Sequence, residues 1–248
     1  MFTAIAPDPK LLRDTIDTVA QIIDEGIFKM GPQGIELIAA DRAVVAVVDL
    51  KIGPQAFESL QADSEVAVGL NLLNFLTILK RAGPQDKVMI RAGAGNKVEV
   101  TLKGESVRNF SIPVLDIPHG ETPSTTQFEF PAGVEISSGI LTEGVADADT
   151  VADSVIFEIG EGFRIAAQTD ASATELKLEK GSPALTGIKA SQPVKSRYPL
   201  EYLKKMVKAE KLSEKARIFI GNDYPMKMEF DGGAAKITFI LAPRVSED

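Results

Sequence analysis

The chain has 248 residues, and its 27 lysines and arginines against 35 aspartates and glutamates give a formal net charge of −8 at pH 7. It contains no cysteine, which excludes disulfides, thiolate metal sites and a cysteine nucleophile. The longest apolar run, residues 43–48, is too short to cross a bilayer, and the N-terminal MFTAIAPDPK lacks the features of a signal peptide. We therefore expect a soluble intracellular protein of one large or two ordinary domains.

The first half of the chain predicts two helices and seven strands. A helix begins at Asp8–Pro9 and ends at Gly26, because apolar residues recur between them at helical spacing. Runs rich in β-branched residues predict strands at IFKM, IELIAA, AVVAVVDL and VAVGLN. A short helix follows over Leu72–Leu79 and stops at Gly83–Pro84. The strands VMIRA, KVEVTL and RNFSIP complete this half.

The second half repeats this order after the segment DIPHGETPSTTQ (116–127), whose prolines, glycine, serine and threonines favour an extended linker. Helices are predicted over about 132–148 and about 199–210. Strands are predicted at VIFEI, FRIAAQT, TELKLE, RIFIG, MKMEF and AKITFIL, whereas residues 181–193 are rich in turn residues.

Two stretches of the first half recur in the second. Residues 24–51 align with 153–179, so that Phe28 matches Phe157 and Leu50 matches Leu178, and LNFLTILKR (73–81) matches LEYLKKMVK (200–208). The spacing is far too long for a solenoid and indicates two copies of one domain in tandem. The predicted fold is α+β, with two similar domains (1–114 and 128–248) that each pack two helices on antiparallel sheet, joined by a connector at 115–127.

Residues that could support catalysis or metal binding are sparse. His119 is the one histidine and falls in the predicted linker, where a solvated loop residue is the better interpretation. Asp147, Asp149 and Asp153 lack the glycine and glutamate of a calcium loop and fit a solvated helix end. The GAG sequence at 93–95 lies between two strands and fits a hairpin turn better than a phosphate loop. No catalytic residue, metal or cofactor is predicted.

Cations, in contrast, recur on the outward faces of three of the four predicted helices. Lys204, Lys208 and Lys211 follow one another at i, i+4 and i+7. A solvated helix face is the simplest interpretation for any one helix, but helices that share a surface would form a sparse basic lining. Such a lining contacts phosphates without reading base sequence.

Five segments together resemble the proliferating cell nuclear antigen family, the DNA sliding clamps, and most of all its archaeal members. They are LIAADRAVVAVVDL, GLNLLNFLTILKRAG, SRYPLEYLKKMVKA, NDYPMKMEF and the C-terminal ILAPRV. The resemblance implies a homotrimeric ring in which helices line a channel around double-stranded DNA. It also implies a non-enzymatic processivity factor that tethers DNA polymerase, the clamp loader, flap endonuclease and DNA ligase through short peptide motifs. The compartment implied is the cytoplasm, or the nucleus for a eukaryotic source, with no membrane partner.

Site residues follow from the same resemblance, position by position. Asp14, Ala20, Thr77 and Ile140 stand where relatives carry cations, and the first helix of the second copy shows only Glu135 and Glu143 among its charges. The DNA-channel cations expected from the resemblance and from the helix faces are Lys10, Arg13, Lys80, Arg81, Lys204, Lys208 and Lys211.

The resemblance also implies a pocket that accepts one helical turn of a partner peptide, with small Ala40 where relatives have a large apolar residue. Its positions are Ala40, Val44, Val47, Pro225, Ile240, Leu241, Ala242 and Pro243. Ring closure is expected by pairing of exposed strand edges between subunits, through Arg108, Phe110, Ile112, Glu175 and Lys177. Two alternatives stay open, a subunit of a heterotrimeric or damage-response clamp and an enzyme built on the same architecture.

Overall fold

A computed structural model describes residues 1–93, 95–118, 125 and 127–244. The chain divides into two compact units. The first comprises Met1–Arg42, Val48–Pro123 and Gly232–Ile237, and the second comprises Ala43–Val47, Ser124–Asp231 and Thr238–Asp248. Most of the predicted connector, with His119, lies outside the described residues, as does Ala94 of the predicted 93–95 turn. The domain limits at 114 and 128 stay predictions.

The described residues of the first half of the chain form two helices and nine strands. The helices are α1 (Pro9–Val19) and α2 (Leu72–Leu79), with a 3₁₀ turn at Pro54–Ala56. The strands are β1 (Phe2–Ala6), β2 (Glu25–Gly31), β3 (Gly34–Ala40), β4 (Ala46–Ile52), β5 (Ser59–Ala62), β6 (Val66–Asn71), β7 (Lys87–Ala92), β8 (Lys97–Lys103) and β9 (Val107–Pro113).

The second half repeats the set. Its helices are α3 (Ser138–Asp149) and α4 (Leu200–Met206), which continues into a 3₁₀ turn at Val207–Lys211. Its strands are β10 (Ala132–Ser137), β11 (Ser154–Ile159), β12 (Phe163–Gln168), β13 (Ala173–Leu178), β14 (Leu185–Ala190), β15 (Val194–Pro199), β16 (Lys215–Ile220), β17 (Met226–Asp231) and β18 (Ala235–Leu241).

The strand orders of the two halves correspond. The first unit holds the sheet β5-β1-β7-β8-β9 and the run β4-β3-β2-β6, and the second holds the run β14-β10-β16-β17-β18 and the sheet β13-β12-β11-β15. Neighbouring strands pair antiparallel, as Phe28 with Leu37 in the first unit and Phe157 with Ile165 in the second. The predicted α+β architecture of two similar units is therefore confirmed.

Each unit buries its own apolar core beneath its helices. In the first, α1 packs against α2, and the fully buried rings of Phe28 and Phe75 meet edge to face at 6.2 Å. In the second, α3 packs against α4 and the following 3₁₀ turn, and Phe157 meets Tyr198 at 5.9 Å. Burial raises the pKa of the Tyr198 hydroxyl, which donates to the Tyr224 carbonyl at 2.7 Å.

Several element predictions were wrong or incomplete. The helix predicted from residue 132 begins at Ser138, because 132–137 form β10, whose residues alternate between buried and half-buried. Glu135 therefore lies on a strand and not on the helix. β1, β5, β14 and β15 were not predicted, and the helix predicted over 199–210 turns into 3₁₀ at Val207.

The sequence alignment of the two copies also shifts by two residues at its end. A Cβ on Gly34 would lie 2.0 Å from the Ile52 carbonyl oxygen, and one on Gly162 would lie 2.6 Å from the Leu178 carbonyl oxygen. Ile52, and not Leu50, is thus the structural counterpart of Leu178. The shift arises because the segment from Gly34 to Ile52 is two residues longer than its counterpart.

Candidate nucleic-acid interface

In the first unit, α1 and α2 form a helix pair with a polar outer face. The Asp8 carboxylate caps α1 by accepting from the Lys10 backbone N–H at 2.8 Å, with Pro9 in the first turn. The Asn71 side chain caps α2 in the same way by accepting from the Asn74 N–H at 2.9 Å. The apolar stripes face the core, which leaves Lys10, Asn74, Thr77, Lys80 and Arg81 exposed.

Most of the predicted cations of this helix pair already contact carboxylates. Lys80 Nζ lies 3.0 Å from Asp17 Oδ1, which joins the end of α2 to α1. Arg13 Nε lies 3.3 Å from Asp14 Oδ1, and Lys10 Nζ lies 3.9 Å from Asp14 Oδ2. The acidic residue at position 14 therefore offsets part of the positive charge of this face.

In the second unit, α3 approaches its sheet closely because of Gly144. A Cβ there would lie 2.9 Å from Ile165 Cδ1 and 3.1 Å from Leu176 Cδ1. The Ser137 side chain does not cap α3. Ile140, at a position where the resemblance implies a cation, is half-buried and adds no charge to this face. The exposed charges of α3 are all acidic, at Glu143, Asp147 and Asp149.

The lysines of the second unit lie on α4 and the 3₁₀ turn beside this acidic helix. Lys204 Nζ lies 3.0 Å from Asp149, at the end of α3. Lys208 and Lys211 are exposed on the 3₁₀ turn. Glu135, assigned by its sequence position to the helix face, instead accepts from Lys215 at 2.9 Å on the sheet. The hydrogen bond from Lys215, with a second from Thr186, lowers the pKa of Glu135.

The strands that carry the residues predicted for subunit contact, β9 and β13, are two of the six edge strands of the described sheets, and each pairs on one side only. On β9, Phe110 is half-buried, whereas Ile112 is only 1% exposed and belongs to the core. Arg108 donates to the Arg81 carbonyl at 2.9 Å and to the Asp86 carboxylate. Of the residues predicted for subunit contact on β9, Phe110 is thus the apolar one with surface available.

On β13 the two residues predicted for subunit contact, Glu175 and Lys177, are exposed. Glu175 accepts from Arg164 Nε at 2.7 Å, and this hydrogen bond raises the pKa of Arg164. Lys177 Nζ lies 3.6 Å from Glu179. Both charged side chains therefore have ion-pair partners within their own unit. A strand of another subunit that paired with β13 would have to pack beside these ion pairs.

Most of the predicted peptide-pocket residues belong to the second unit, at the start of β4, the start of β17 and the end of β18. The Ala242 N–H donates to the Val45 carbonyl at 2.9 Å, which places the ends of β18 and β4 side by side. Val44 is 75% exposed, whereas Ile240 and Leu241 are 5% and 1% exposed. Ile240 and Leu241 therefore belong to the core and expose almost no side-chain surface. Val47, Pro225, Ala242 and Pro243 are half-buried, as is Ala40 in the first unit.

Val44 combines two unfavourable features. It is a large apolar side chain in solvent, and its φ of 56° is left-handed, a conformation that disfavours β-branched residues. Strained backbone of this kind concentrates at functional positions.

A cleft of about 670 Å³, which no sequence pattern predicts, adjoins this surface in the second unit. Its lining includes Val45, Pro199, Tyr202, Lys204, Ala242 and Pro243. Arg244 lies at its rim with a nitrogen 2.7 Å from Asp153 Oδ2, and that hydrogen bond lowers the pKa of Asp153. The segment SRYPLEYL carries Pro199 and Tyr202, but no local pattern distinguishes these positions from core residues.

Among the described residues, no group of three or more histidine, aspartate or glutamate side chains is placed to hold a metal ion. Nor does any helix in that part of the chain have the length and apolarity to cross a membrane.

This combination of tandem α+β units, cation-bearing helix pairs and open sheet edges defines a class that comparison with known proteins identifies. Residues 1–117 match the N-terminal domain of proliferating cell nuclear antigen, and residues 125–245 match its C-terminal domain. The chain therefore belongs to the proliferating cell nuclear antigen family.

Full-length relatives agree with this assignment. The chain is 32% identical to a DNA polymerase sliding clamp of Pyrococcus furiosus over 250 residues, covering 99% of both chains. It is 30% identical to that of Methanothermobacter thermautotrophicus, covering 100% of both. Among solved structures, the proliferating cell nuclear antigen of Thermococcus kodakaraensis matches 98% of this chain with a TM-score of 0.88 at 26% identity, and 100% of that chain is covered. The Entamoeba histolytica protein matches in fold, with a TM-score of 0.89 at 21% identity over 98% of this chain and 99% of its own.

Proposed function

We propose that this protein is a DNA sliding clamp that encircles double-stranded DNA and serves as a processivity factor in replication. The observation that carries the proposal is the match to DNA polymerase sliding clamps over 99–100% of both chains. A role of this kind needs no catalytic site in the clamp itself. No substrate-processing activity and no cofactor are proposed.

Three copies form the proposed ring, and the two open edges support this closure. An unpaired strand edge is a ready template for another strand, and one copy offers such an edge on β9 and another on β13. The Gly104 N–H donates to the Ser106 carbonyl in the β8–β9 turn as the Gly232 N–H does to the Ala235 carbonyl in the β17–β18 turn. Phe110 on β9 therefore corresponds to Phe239 on β18, which is fully buried. Pairing of β9 with a partner strand would bury Phe110 in the same way.

The proposed DNA contacts are the cations of the two helix pairs. They are few, and carboxylates contact several of them, as with Lys80 and Asp17 or Lys204 and Asp149. Weak contacts suit a protein that encircles DNA, because the closed ring prevents dissociation and strong contacts are not needed. Phosphate contacts of this kind carry no sequence information, which suits movement along any duplex.

The proposed docking surface for partner enzymes is the apolar region around Val44, Val47, Pro225, Ala242 and Pro243. A short helical turn could place apolar anchors there, as peptides do in other apolar grooves. One well-buried anchor contributes about 1.5–3 kcal/mol. Polymerase, clamp loader, flap endonuclease and ligase are the proposed partners.

Solution mass and DNA topology together test the proposal. One chain is 26.6 kDa, so light scattering should give about 80 kDa, three times that mass. After loading by a clamp loader, the protein should stay with closed circular DNA through gel filtration and be lost when the circle is cut. Equal retention on linear DNA would contradict encirclement. A mass of one chain that rises only when sister chains are added would favour a heterotrimeric clamp.

A further inference from the structure

A small cleft of about 310 Å³ lies on the sheet β13-β12-β11-β15 of the second unit. Arg197 on β15 is the cation among its lining residues. It lies between the buried Ser196 and Tyr198, so its side chain points to the face of the sheet opposite the core. The other lining residues include Ser154, Ile156, Ala166, Gln168 and Asp170.

The guanidinium of Arg197 is half-buried, yet it contacts no carboxylate among the described residues. Its one side-chain hydrogen bond there is a long one, from Nη1 to Ser154 Oγ at 3.5 Å. Arg164, on the same sheet, instead contacts both Glu158 and Glu175. Because a guanidinium has five N–H donors in a planar fork that fits a carboxylate, Arg197 has donors available for an acidic group.

The internal repeat identifies the counterpart of Arg197 in the first unit. On β11 and β15, Ile156 lies opposite Arg197, and on β2 and β6, Ile27 lies opposite Gly69. Ile27 and Ile156 match in the alignment of the two copies. Gly69 therefore takes the place of Arg197, and a residue without a side chain stands where the second unit has a cation.

In the first unit, the segment that follows β9 covers this place. The Leu115 N–H donates to the Gly69 carbonyl at 2.8 Å, and Ile117 Cδ1 lies 3.1 Å from the position that a Cβ on Gly69 would take. In the second unit, the Arg244 N–H donates to the Arg197 carbonyl at 2.7 Å. Leu115 thus corresponds to Arg244, and Ile117 corresponds to the residue two places after Arg244.

The sequence after Arg244 is acidic, because it reads Val-Ser-Glu-Asp over residues 245–248, which lie outside the described residues. We infer that the cleft beside Arg197 binds the carboxylates of Glu247 and Asp248 of the same chain. In the first unit an apolar side chain meets a glycine at this place, and in the second unit carboxylates meet a guanidinium. The inference rests on the repeat and on charge, and it does not depend on the proposed ring.

The covalent connection favours these carboxylates over those of another molecule. Glu247 follows Arg244 by three residues, which span at most about 10 Å, and the backbone of Arg244 is already bonded to that of Arg197. A tether of this length corresponds to a millimolar effective concentration. Asp170 at the edge of the cleft is the rival partner, but it is exposed and makes no ion pair with Arg197 in the described structure.

Nuclear magnetic resonance of the Arg197 side chain in the full-length, ¹⁵N-labelled protein tests the inference. The Nε–H signal of Arg197 is assigned by its loss in Arg197→Gln. Neutralising Glu247→Gln and Asp248→Asn together should speed the exchange of this proton with water about two- to fivefold, as expected for loss of a surface ion pair. The control pair, Glu65→Gln and Glu99→Gln, makes the same change in net charge at exposed positions of the first unit and should leave the exchange unaltered.

Two further measurements separate the rival partners. Asp170→Asn should leave the exchange unaltered or slow it, because it removes a competing carboxylate; faster exchange would show that Arg197 pairs with Asp170 and would overturn the inference. Equal exchange in the doubly neutralised protein and its control would also overturn it. If the peptide acetyl-Val-Ser-Glu-Asp, added to that protein, then slowed the exchange, the cleft would be a site for acidic segments of other proteins instead.

Discussion

The guanidinium of Arg108 donates to the carboxylate of Asp86 and joins β9 to the turn that follows α2. Asp86 is only 7% exposed, and it also accepts from the Gly83 N–H at 2.7 Å. A second Arg108 nitrogen donates to the Arg81 carbonyl. The strand proposed for subunit pairing and the helix end that carries Lys80 and Arg81 are thus held by one side chain.

Replacing that side chain should destabilise the first unit. Arg108→Ala leaves the buried Asp86 carboxylate without its charged partner, and we expect a loss of about 1.5–3 kcal/mol in the free energy of unfolding. Urea unfolding measures it, in a Phe110→Asp background to remove any contribution from assembly. Lys103→Ala, an exposed cation on neighbouring β8, should change stability by less than about 0.5 kcal/mol. Equal effects of the two changes would contradict a specific role for the Arg108 contacts.

Phe110→Asp should convert the ring into single subunits. Each proposed interface would lose about 1.5–3 kcal/mol of apolar burial and would gain a carboxylate between paired strands. Light scattering should then report 26.6 kDa. Val44→Asp changes an exposed apolar residue that is not on either open edge and should leave the mass of the ring unaltered. A persistent trimer in the Phe110 variant would exclude β9 as the closing edge.

Neutralising Lys204, Lys208 and Lys211 together, each to glutamine, should slow clamp-dependent synthesis on primed circular DNA, and the deficit should grow with added salt. These lysines are the exposed cations of α4 and its 3₁₀ turn, and the exposed charges of the neighbouring helix α3 are acidic, so their loss makes this surface more negative. The control triple, Lys29→Gln, Lys97→Gln and Lys195→Gln, makes the same change in net charge at exposed strand positions. If both triples behave alike at every salt concentration, the α4 face does not contact DNA.

Val44→Glu should weaken partner peptides at least about tenfold, equivalent to about 1.4 kcal/mol, because a carboxylate replaces an apolar contact. Isothermal titration with a synthetic peptide that carries two apolar anchors and a glutamine measures this, and the ring mass should not change. Leu73→Glu, at an exposed apolar position on α2, should bind the peptide normally. Leu241→Asp is a poor probe, since Leu241 is 1% exposed and the change should unfold the protein. Unaltered affinity in the Val44 variant would remove this residue from the docking surface.

Val44→Asn should stabilise the fold while it weakens peptide binding. Asparagine tolerates the left-handed backbone of this position better than a β-branched residue does, and relief of the strain is worth about 1 kcal/mol. Thermal and urea unfolding should both show the gain. A loss of stability would mean that Val44 packs more favourably than its 75% exposure indicates.

Local sequence patterns predicted those helices and strands whose apolar residues recur with a single helical or strand spacing. The start of α1 was found from Asp8–Pro9 and its apolar spacing, but its predicted end at Gly26 was wrong, because α1 ends at Val19 and Gly26 lies in β2. α2 was found from its leucine spacing and the Gly83–Pro84 that follows it. β10 was misassigned because Val134 and Ile136 alternate as in a strand, while Ile140 and Leu141 continue a spacing that also fits a helix. β14 lies between Pro183 and Pro193 and includes Gly187, so its pairing with β10 overrides weak strand propensity.

The site residues stay predictions, and the sequence did not predict their burial or their contacts. Phe110 and Val44 have exposed surface, as a docking or pairing residue needs. Ile112 and Leu241 lie in the core, because the strands that carry them have buried faces that a sequence position alone does not reveal. The contact of Lys204 with Asp149 joins residues 55 positions apart, a distance at which no local pattern operates.

That contact, with the one between Lys80 and Asp17, means that the helix faces carry their own counterions. When Lys204 or Lys80 contacts a phosphate, its carboxylate partner stays beside the DNA, so each lysine neutralises less phosphate charge and releases fewer of the cations condensed on DNA. Release of free ions is what makes DNA affinity fall steeply with salt. If DNA binds these helix faces as proposed, its affinity should therefore depend on salt less than the number of their lysines implies, and successive phosphates would exchange with tethered carboxylates during sliding.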